Sequence, residues 1–581
     1  MEAWWHRYPM ALEREKVALD ALGYTWAIDE AEQLAGRLVI RVDALLSGEQ
    51  LRLTAEYPAA FPYFAPQIEL EDKRFARHQH PFGKNLCLLA RESEDWQPGI
   101  DTLAALIQEQ LPQILLVNAE ATDADAIAAI EDHVGEPISS FLPYAPECAI
   151  LVPDETPPVD GEAGRLVLAA RPMPAGDEPS PVIGVLKAIT DLKRNVLVDL
   201  PLNVPAFTAE LSGFWMRLAE RPQFAENSPH QALAQLIVSK IPEFQKAINK
   251  AARGQVILAG FVYPDERSWR ASQDDWVFLA VRIRREAKGS RPPATQSFFV
   301  KADWSGERAW MQRAPALRPL RTKSALVVGL GSLGSPLVMN LARAGIARLT
   351  LVDCDQLQAG NTVRWALGWQ FAGFAKVRAL ASQLANDYPY TTVQMCSTRI
   401  GDLTPPPEQE ERSDYELIRE YALEADVIID AAASHRVSHF LSDLAKELIK
   451  PYIWLTTTHG AAGGVVGRVV PNKTPGCWHC FLRHLTDGSI ARPADSGGEE
   501  IQPGGCSQPT FIGAGLDSDE IALLASRVAV STLCDGEKDG YADFEWDVGV
   551  ADLYSGGRPV APTWKTYSLS AHPQCPGCVE K

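Results

Sequence analysis

Three sets of residues in this 581-residue chain could do chemistry. The first is a pair of Cys-x-x-Cys motifs, Cys477 and Cys480 in "CWHC" and Cys575 and Cys578 in "CPGC". Together they supply four thiolates, the complement of a closed tetrahedral zinc site with no open coordination position. A redox dithiol is the competing use of one such motif. Two motifs, the second tying down the C-terminal tail, point to structural zinc. The second set is Gly329, Gly331 and Gly334 in G-x-G-x-x-G, followed by Asp353, Asp355, Asn361, Arg364 and Lys376. Glycines let a backbone approach phosphates, and a helix N-terminus favours their negative charge. The glycines and Asp353 alone suit a nicotinamide oxidoreductase or a nucleotide-activating enzyme equally. The arginine and lysine favour activation, because adenylation builds charge on the phosphates as a carboxylate attacks. The third set is two lone thiols. Cys87 lies in "GKNLCLL", and Cys506 lies in the glycine-rich "QPGGCSQPTFIGAG" just before the helical "SDEIALLASRVAVSTL". Thiolates attack acyl carbons and leave them again, which a relay of acyl groups requires.

The elements that must hold these residues can be read from the patterning. "SALVVGLGSLGSPLVMNLARAGIARLTLVDCD" is an apolar strand, a glycine turn, a helix and a second apolar strand, the βαβ unit of a buried parallel sheet. "ADVIIDAAAS", which carries Asp430, and "PYIWLTTTHG" are further strands of that sheet. Cys354, Cys396 and Cys534 fall in apolar strand or helix contexts and read as core. At the other end, helical "MALEREKVALDAL" precedes the strands "RLVIRVDALL" and "LRLTAEYP". The proline- and aromatic-rich "YPAAFPYFAPQIELED", the Cys87 loop and helical "IDTLAALIQEQLPQILLVNAEA" follow. Between the two ends lie proline-rich linkers ("PDETPPVDGE", "RPMPAGDEPSP"), one helix ("QALAQLIVSKIPEFQKAINKAA") and the strands "GQVILAGFVY" and "DDWVFLAVRIRR". The expected organisation is an α/β multidomain protein: an α+β domain over 1–145, an α/β insert over 146–312 and a Rossmann-like domain over 313–581.

Composition excludes several roles. A formal net charge of −19 argues against nucleic-acid binding, and the basic "RIRREAKGSR" reads as a solvated loop or strand end. No run reaches the roughly 18 apolar residues of a membrane span, and "MEAWWHRYPM" is unlike a signal peptide. A cytoplasmic setting follows, in which the ten cysteines stay reduced.

The glycine loop, the D-x-D-x-x-x-x-x-N-x-x-R run, the lysine and the cysteine pairs resemble the ubiquitin-activating superfamily in its bacterial ThiF and MoeB branch, over roughly residues 315 to 581. That resemblance implies ATP with Mg2+, a homodimer, and Cys506 as an acyl acceptor. It places Asp353 on the ribose and Asn361, Arg364 and Lys376 on the phosphates. The family's second magnesium aspartate, three residues beyond Asp430, is Ala433 here, so Asp355 or Asp430 substitutes or metal handling differs. The N-terminal order of helix, meander, His80-Pro81, Leu86-Cys87-Leu88 and Trp96-Gln-Pro98 resembles a ubiquitin-conjugating (UBC-like) domain. There the His-Pro-Asn asparagine is replaced by Phe82, leaving Asn85, His78 or His80 to donate to an oxyanion. A fusion of the two looks like the CD-NTase-associated conjugating enzymes of anti-phage operons. It implies activation of a ubiquitin-like modifier or a nucleotidyltransferase tail, a thioester on Cys506, transfer to Cys87, and conjugation to a target amine. A sulfur-carrier activator, or a scaffold whose N-terminal domain only binds, uses the same residues.

Overall fold

A computed structural model describes the chain except for residues 1–2, 47, 90–94, 120–127, 129–133, 173–180, 201, 225–228, 286–287, 289–291, 403–411, 498–499, 502–509 and 580–581. It divides into two compact units, Met1–Leu200 with Ala209–Trp304, and Pro201–Thr208 with Ser305–Lys581. Among the described residues no helix is long and apolar enough to cross a membrane. Cys506 and most of "RPMPAGDEPSP" lie outside the described residues.

The first unit begins with an antiparallel meander of Thr25–Ile28, Leu38–Leu46, Glu49–Tyr57 and Gln67–Leu70, in that order across the sheet. Alternating Leu51, Leu53, Ala55 and Tyr57 turn inward, as strand period dictates. Helices Pro9–Ala21 and Leu103–Val117 pack with it into one apolar core. Glu15, fully buried, ties three elements together: the Tyr57 hydroxyl and the Leu103 N–H both donate to its Oε2 at 2.9 Å. Trp96 is buried in the same core and donates its indole N–H to the Pro62 carbonyl (2.8 Å).

The rest of this unit is more β-rich than an α/β insert. Strands Tyr144–Val152, Ala294–Trp304, Ala271–Arg285, Val256–Ser268, Ala209–Arg217, Ala163–Ala170 and Val182–Asp191 pair in that order. The last pairs back to the first through Cys148–Leu151 and Val182–Val185, closing a ring, while Val196–Asp199 adds to its edge. Every strand of the ring contributes to a single apolar cluster around Trp215, Trp276 and Phe278, so the interior is filled with side chains. A Cβ on Gly260 would come within 2.8 Å of Trp276 and 2.9 Å of Phe278, so glycine makes room for that stacked pair. Neighbouring residues on the same strands, Phe214, Phe261 and Leu279, face outward and pack against the helices Pro229–Lys240 and Pro242–Lys250. The expected single helix is broken where Pro242 starts a new one. Arg282, expected in a solvated stretch, is buried with its guanidinium over Phe298 (5.0 Å).

The second unit is built on an eight-stranded sheet. Five strands run parallel in the order Thr392–Cys396, Arg348–Val352, Ser324–Val328, Val427–Asp430 and Tyr452–Thr457. Gly463–Val469, Val548–Ser555 and Arg558–Tyr567 then continue it antiparallel. The chain leaves Ser324–Val328 to one side and returns on the other at Val427–Asp430. This is the switch point at which open α/β sheets form a ligand crevice.

Candidate functional site

The glycine loop fills that crevice, and each glycine meets a different demand. Gly329 has φ 88°, and a Cβ there would lie 2.5 Å from the Ala432 backbone. A Cβ on Gly334, the first residue of helix Gly334–Arg343, would fall 1.9 Å from the Gly329 carbonyl oxygen. Both are closed off by protein. Of the three, only Gly331 has nothing among the described residues within 4 Å of its Cβ position, so its backbone faces open space at the helix N-terminus.

Side chains from the next segment close around the loop. Asp353 Oδ2 accepts the Leu330 N–H (2.7 Å) and its Oδ1 accepts the Asp355 N–H (2.7 Å). Burial pushes the Asp353 carboxyl up, partly offset by the Lys376 ammonium. The Gln356–Ala375 bridge brings Lys376, the first residue of helix Lys376–Asp387, back beside these carboxylates. Its Nζ lies 2.9 Å from Asp355 and 3.9 Å from Asp353. Burial raises Asp355, but the hydrogen bond and charge of Lys376 outweigh it and hold the carboxyl below its usual range. Trp365 donates its indole N–H to the Leu330 carbonyl (2.6 Å), and the Ala366 N–H donates to Ser335 Oγ (3.1 Å). These bonds fasten residues 365 and 366, which follow Arg364 in the chain, to the loop and its helix. Burial lowers the Arg364 guanidinium pKa. The buried Lys376 beside an open helix N-terminus, with the half-buried Arg364 close by in the chain, suits polyphosphate.

One expectation needs correcting. Cys354 is not core: the strand ends at Val352, and the exposed Cys354 thiol sits 3.6 Å from Asp355 Oδ1 in the crevice loop. Asp430 sits away from open space. It is 2% exposed, and its oxygens accept the Ala432 N–H (3.0 Å) and the Tyr452 hydroxyl (2.8 Å). Burial raises its carboxyl as well. Asp355, about half exposed, is the carboxylate here with room for a cation. Sequence reasoning overlooked Trp365 and Ser335, although a tryptophan directly after Arg364 was a usable signal.

The four cysteines of the CxxC pairs converge. Four Sγ···Sγ separations among them run from 3.5 to 3.7 Å. A zinc ion with Zn–S bonds of about 2.3 Å gives tetrahedral edges of about 3.8 Å; a disulfide would need about 2.05 Å. The His572 N–H donates to Cys480 Sγ (3.2 Å), the kind of outer contact that orients a thiolate ligand.

In the first unit, Leu86 and Leu88 are buried while Cys87 between them is exposed. Asn85, two residues earlier, therefore shares the face of Cys87. The Cys87 N–H donates to the His78 carbonyl (2.8 Å). His80 is committed to its own turn, with Nδ1 accepting from Phe82 (3.2 Å) and Gly83 (2.8 Å), and burial lowers its pKa. Phe82 joins the outer apolar cluster of the strand ring, 5.9 Å from Phe224. Overlooked in the sequence was Glu136, whose carboxylate takes the His78 N–H (3.0 and 3.1 Å) and faces His78 Nδ1 at 3.4 Å. Burial first, and the Glu136 charge second, push the Cys87 thiol up.

Comparison with known proteins places this geometry. Residues 309–511 match the ThiF family. The "Uncharacterized protein y4oA" of Sinorhizobium fredii is 27% identical over 594 residues, spanning 98% of this chain and 97% of that protein. The "ATP-dependent ubiquitin transferase-like protein Cap2" of Enterobacter hormaechei is 26% identical over 245 residues, 39% of either chain. The "Adenylyltransferase and sulfurtransferase MOCS3" of Sus scrofa is 38% identical over 166 residues, 27% of this chain and 34% of that one. The chain is a mixed α/β protein that carries a ThiF/MoeB-type adenylation domain.

Proposed function

We propose that the chain activates the C-terminal carboxylate of a partner protein with ATP and passes the acyl group through two thiols to an amine. The carboxylate attacks the α-phosphorus and pyrophosphate leaves. The Cys506 thiolate attacks the acyl-adenylate carbon and AMP leaves. Cys87 takes the acyl group by thiol exchange, and a target amine displaces Cys87 to give an amide. The partner is a ubiquitin-like modifier or a nucleotidyltransferase tail, the setting is bacterial defence, and the enzyme is a homodimer. Val363, Trp369 and Leu516, large apolar side chains at least two-thirds exposed, support an apolar contact with a second copy.

The observation that carries this reading is the crevice, where Gly331 leaves space and Lys376 is held beside the two carboxylates, Asp353 and Asp355, that close around the loop. Asp353 would hold the ribose, and Asn361, Arg364 and Lys376 the phosphates. Bound Mg2+ would neutralise phosphate charge, with Asp355 rather than Asp430 as its protein contact. Cys477, Cys480, Cys575 and Cys578 would hold zinc as a staple for the C-terminal tail. The test incubates the full chain with ATP and the small protein encoded beside it, then maps adducts by non-reducing mass spectrometry. Adducts on both Cys506 and Cys87 support the relay; an adduct on Cys506 alone sinks the conjugating step. The raised Cys87 thiol favours a second reading, in which the N-terminal domain only binds a partner. In that case Cys87→Ala leaves product formation intact.

A further inference from the structure

Behind the Cys87 loop lies a cavity of about 360 Å3, bounded by the His80–Phe82 turn, the 136–141 segment and residues 220–224. This is at the small end for ligand pockets, sized for an extended side chain rather than a folded segment. Its walls include Phe82, Phe141 and Phe224, and its charged lining is Glu136, Glu220 and Arg221. Arg221 is already engaged, with Nε 3.3 Å from Asp265 and Nη2 donating to the Glu136 carbonyl (2.9 Å). What remains is a pair of carboxylates among aromatic rings, a setting that attracts an alkylammonium group.

Glu136 connects the cavity to the thiol. It lines the one and is joined to the other through His78, whose N–H it accepts and whose carbonyl takes the Cys87 N–H. Its position is built in: a Cβ on Gly135 would come 2.5 Å from the Glu266 carbonyl oxygen, and the Ile138 N–H donates to Asp265 (2.8 Å). His78, which faces Glu136 and pairs with Cys87, has φ 59°, a conformation that non-glycine residues adopt at a cost. Phe82 gains a purpose here, as a wall of the cavity with its ring tilted against Phe224.

We propose that this cavity admits the acceptor amine, a lysine side chain, and that Glu136 together with His78 receives a proton from it before it attacks the Cys87 thioester. The inference rests on the conjugating reading above. The amine lone pair attacks the thioester carbonyl carbon, the C–N bond forms and the C–S bond breaks. Before the attack the Glu136–His78 pair takes one proton from the lysine ammonium, which frees that lone pair; afterwards the second nitrogen proton leaves with Cys87, which departs as the thiol.

The test needs no natural partner. The full chain is acylated with a diglycine thioester of mercaptoethanesulfonate, and Cys87→Ala protein is used to subtract acylation elsewhere. Discharge to Nα-acetyl-lysine or to hydroxylamine, which is unprotonated at neutral pH, is then followed by intact mass per mole of Cys87 thioester. Glu136→Gln, which keeps an acceptor for the His78 N–H, is expected to slow discharge to Nα-acetyl-lysine at least tenfold while discharge to hydroxylamine keeps the parent rate. Phe224→Leu is expected to raise the half-saturating acetyl-lysine concentration severalfold. Equal slowing with both nucleophiles, or no slowing with either, overturns the inference while leaving a Cys87 thioester in place. If Cys87 takes no acyl group, the conjugating reading fails and takes this inference with it.

Discussion

The nucleotide crevice and the Cys87 loop are built in opposite ways. The crevice comes mainly from one continuous stretch, Ser324 to Lys376, closed by the Ala431–Ala432 backbone, and much of its shape comes from backbone: glycines without side chains, a helix N-terminus, carbonyls that hold Trp365 and Ser335. The surroundings of Cys87 come from three distant stretches, and side chains make them: Glu136 on His78, Phe82 on Phe224, Arg221 on Asp265. A site made of backbone tolerates little change in residue type, whereas one made of side chains can be retuned one contact at a time.

That difference is most open to attack at the glycines. Gly334→Ala would place a Cβ 1.9 Å from the Gly329 oxygen, so the loop must shift. Pyrophosphate exchange should fall at least 100-fold, about 2.7 kcal/mol of transition-state stabilisation, and the melting temperature of the second unit should drop. Gly331→Ala meets no atom of the described residues within 4 Å beyond its own chain neighbours. It should leave melting unchanged and weaken ATP binding about tenfold, because only a ligand occupies that space. If Gly331→Ala binds ATP as tightly as the parent, phosphates do not pass there and the crevice needs another explanation.

The cysteine cluster sets the two units apart in a second way, since no such thiol cluster occurs among the described residues of the first unit. Cys480→Ser, or removal of metal by a chelator, should release about one zinc per chain and destabilise the second unit by roughly 3 kcal/mol or more. Metal analysis and differential scanning calorimetry check both. Transitions of the first unit should stay where they are. A protein that carries no zinc as isolated, yet melts normally, would assign the four sulfurs to another use.

What could be read in the sequence follows the same division. Gly329 to Lys376 is legible because its chemistry is local, with residue types at fixed offsets in a strand–turn–helix. The meander around Leu51 to Tyr57 is legible because its apolar residues alternate. Closure of the strand ring is not, because Tyr144–Val152 pairs in parallel with Ala294–Trp304, far along the chain. Glu136 was missed for the same reason, since its place depends on packing against that ring. Asp430 could be located on its strand, but not its loss to Tyr452, which only the folded sheet brings within hydrogen-bond reach. Cys354 read as core because the apolar run does not reveal that its strand ends two residues earlier.

The smallest expected effect distinguishes two buried carboxylates that look alike. Asp430 and Glu15 each accept a tyrosine hydroxyl and a backbone N–H. Asp430 uses both oxygens for this; Glu15 uses only Oε2, leaving Oε1 buried without a partner. Burial raises the Glu15 carboxyl above its ordinary 4.5, so the folded state binds that proton more tightly than the unfolded chain does. Its contribution to stability is therefore fully present below 4.5 and is lost as pH rises through the folded value. Glu15→Gln keeps an acceptor for Tyr57 and Leu103 and cannot ionise. At neutral pH it should change stability by no more than about 1 kcal/mol, and the parent's advantage over it should shrink steadily as pH rises from 4.5. Hydrogen-exchange protection of helix Leu103–Val117, corrected for intrinsic rates, reads this directly. A parent that gains on the variant with rising pH would mean that Glu15 is held as a stabilised carboxylate, and that its two hydrogen bonds and the Arg14 charge outweigh burial.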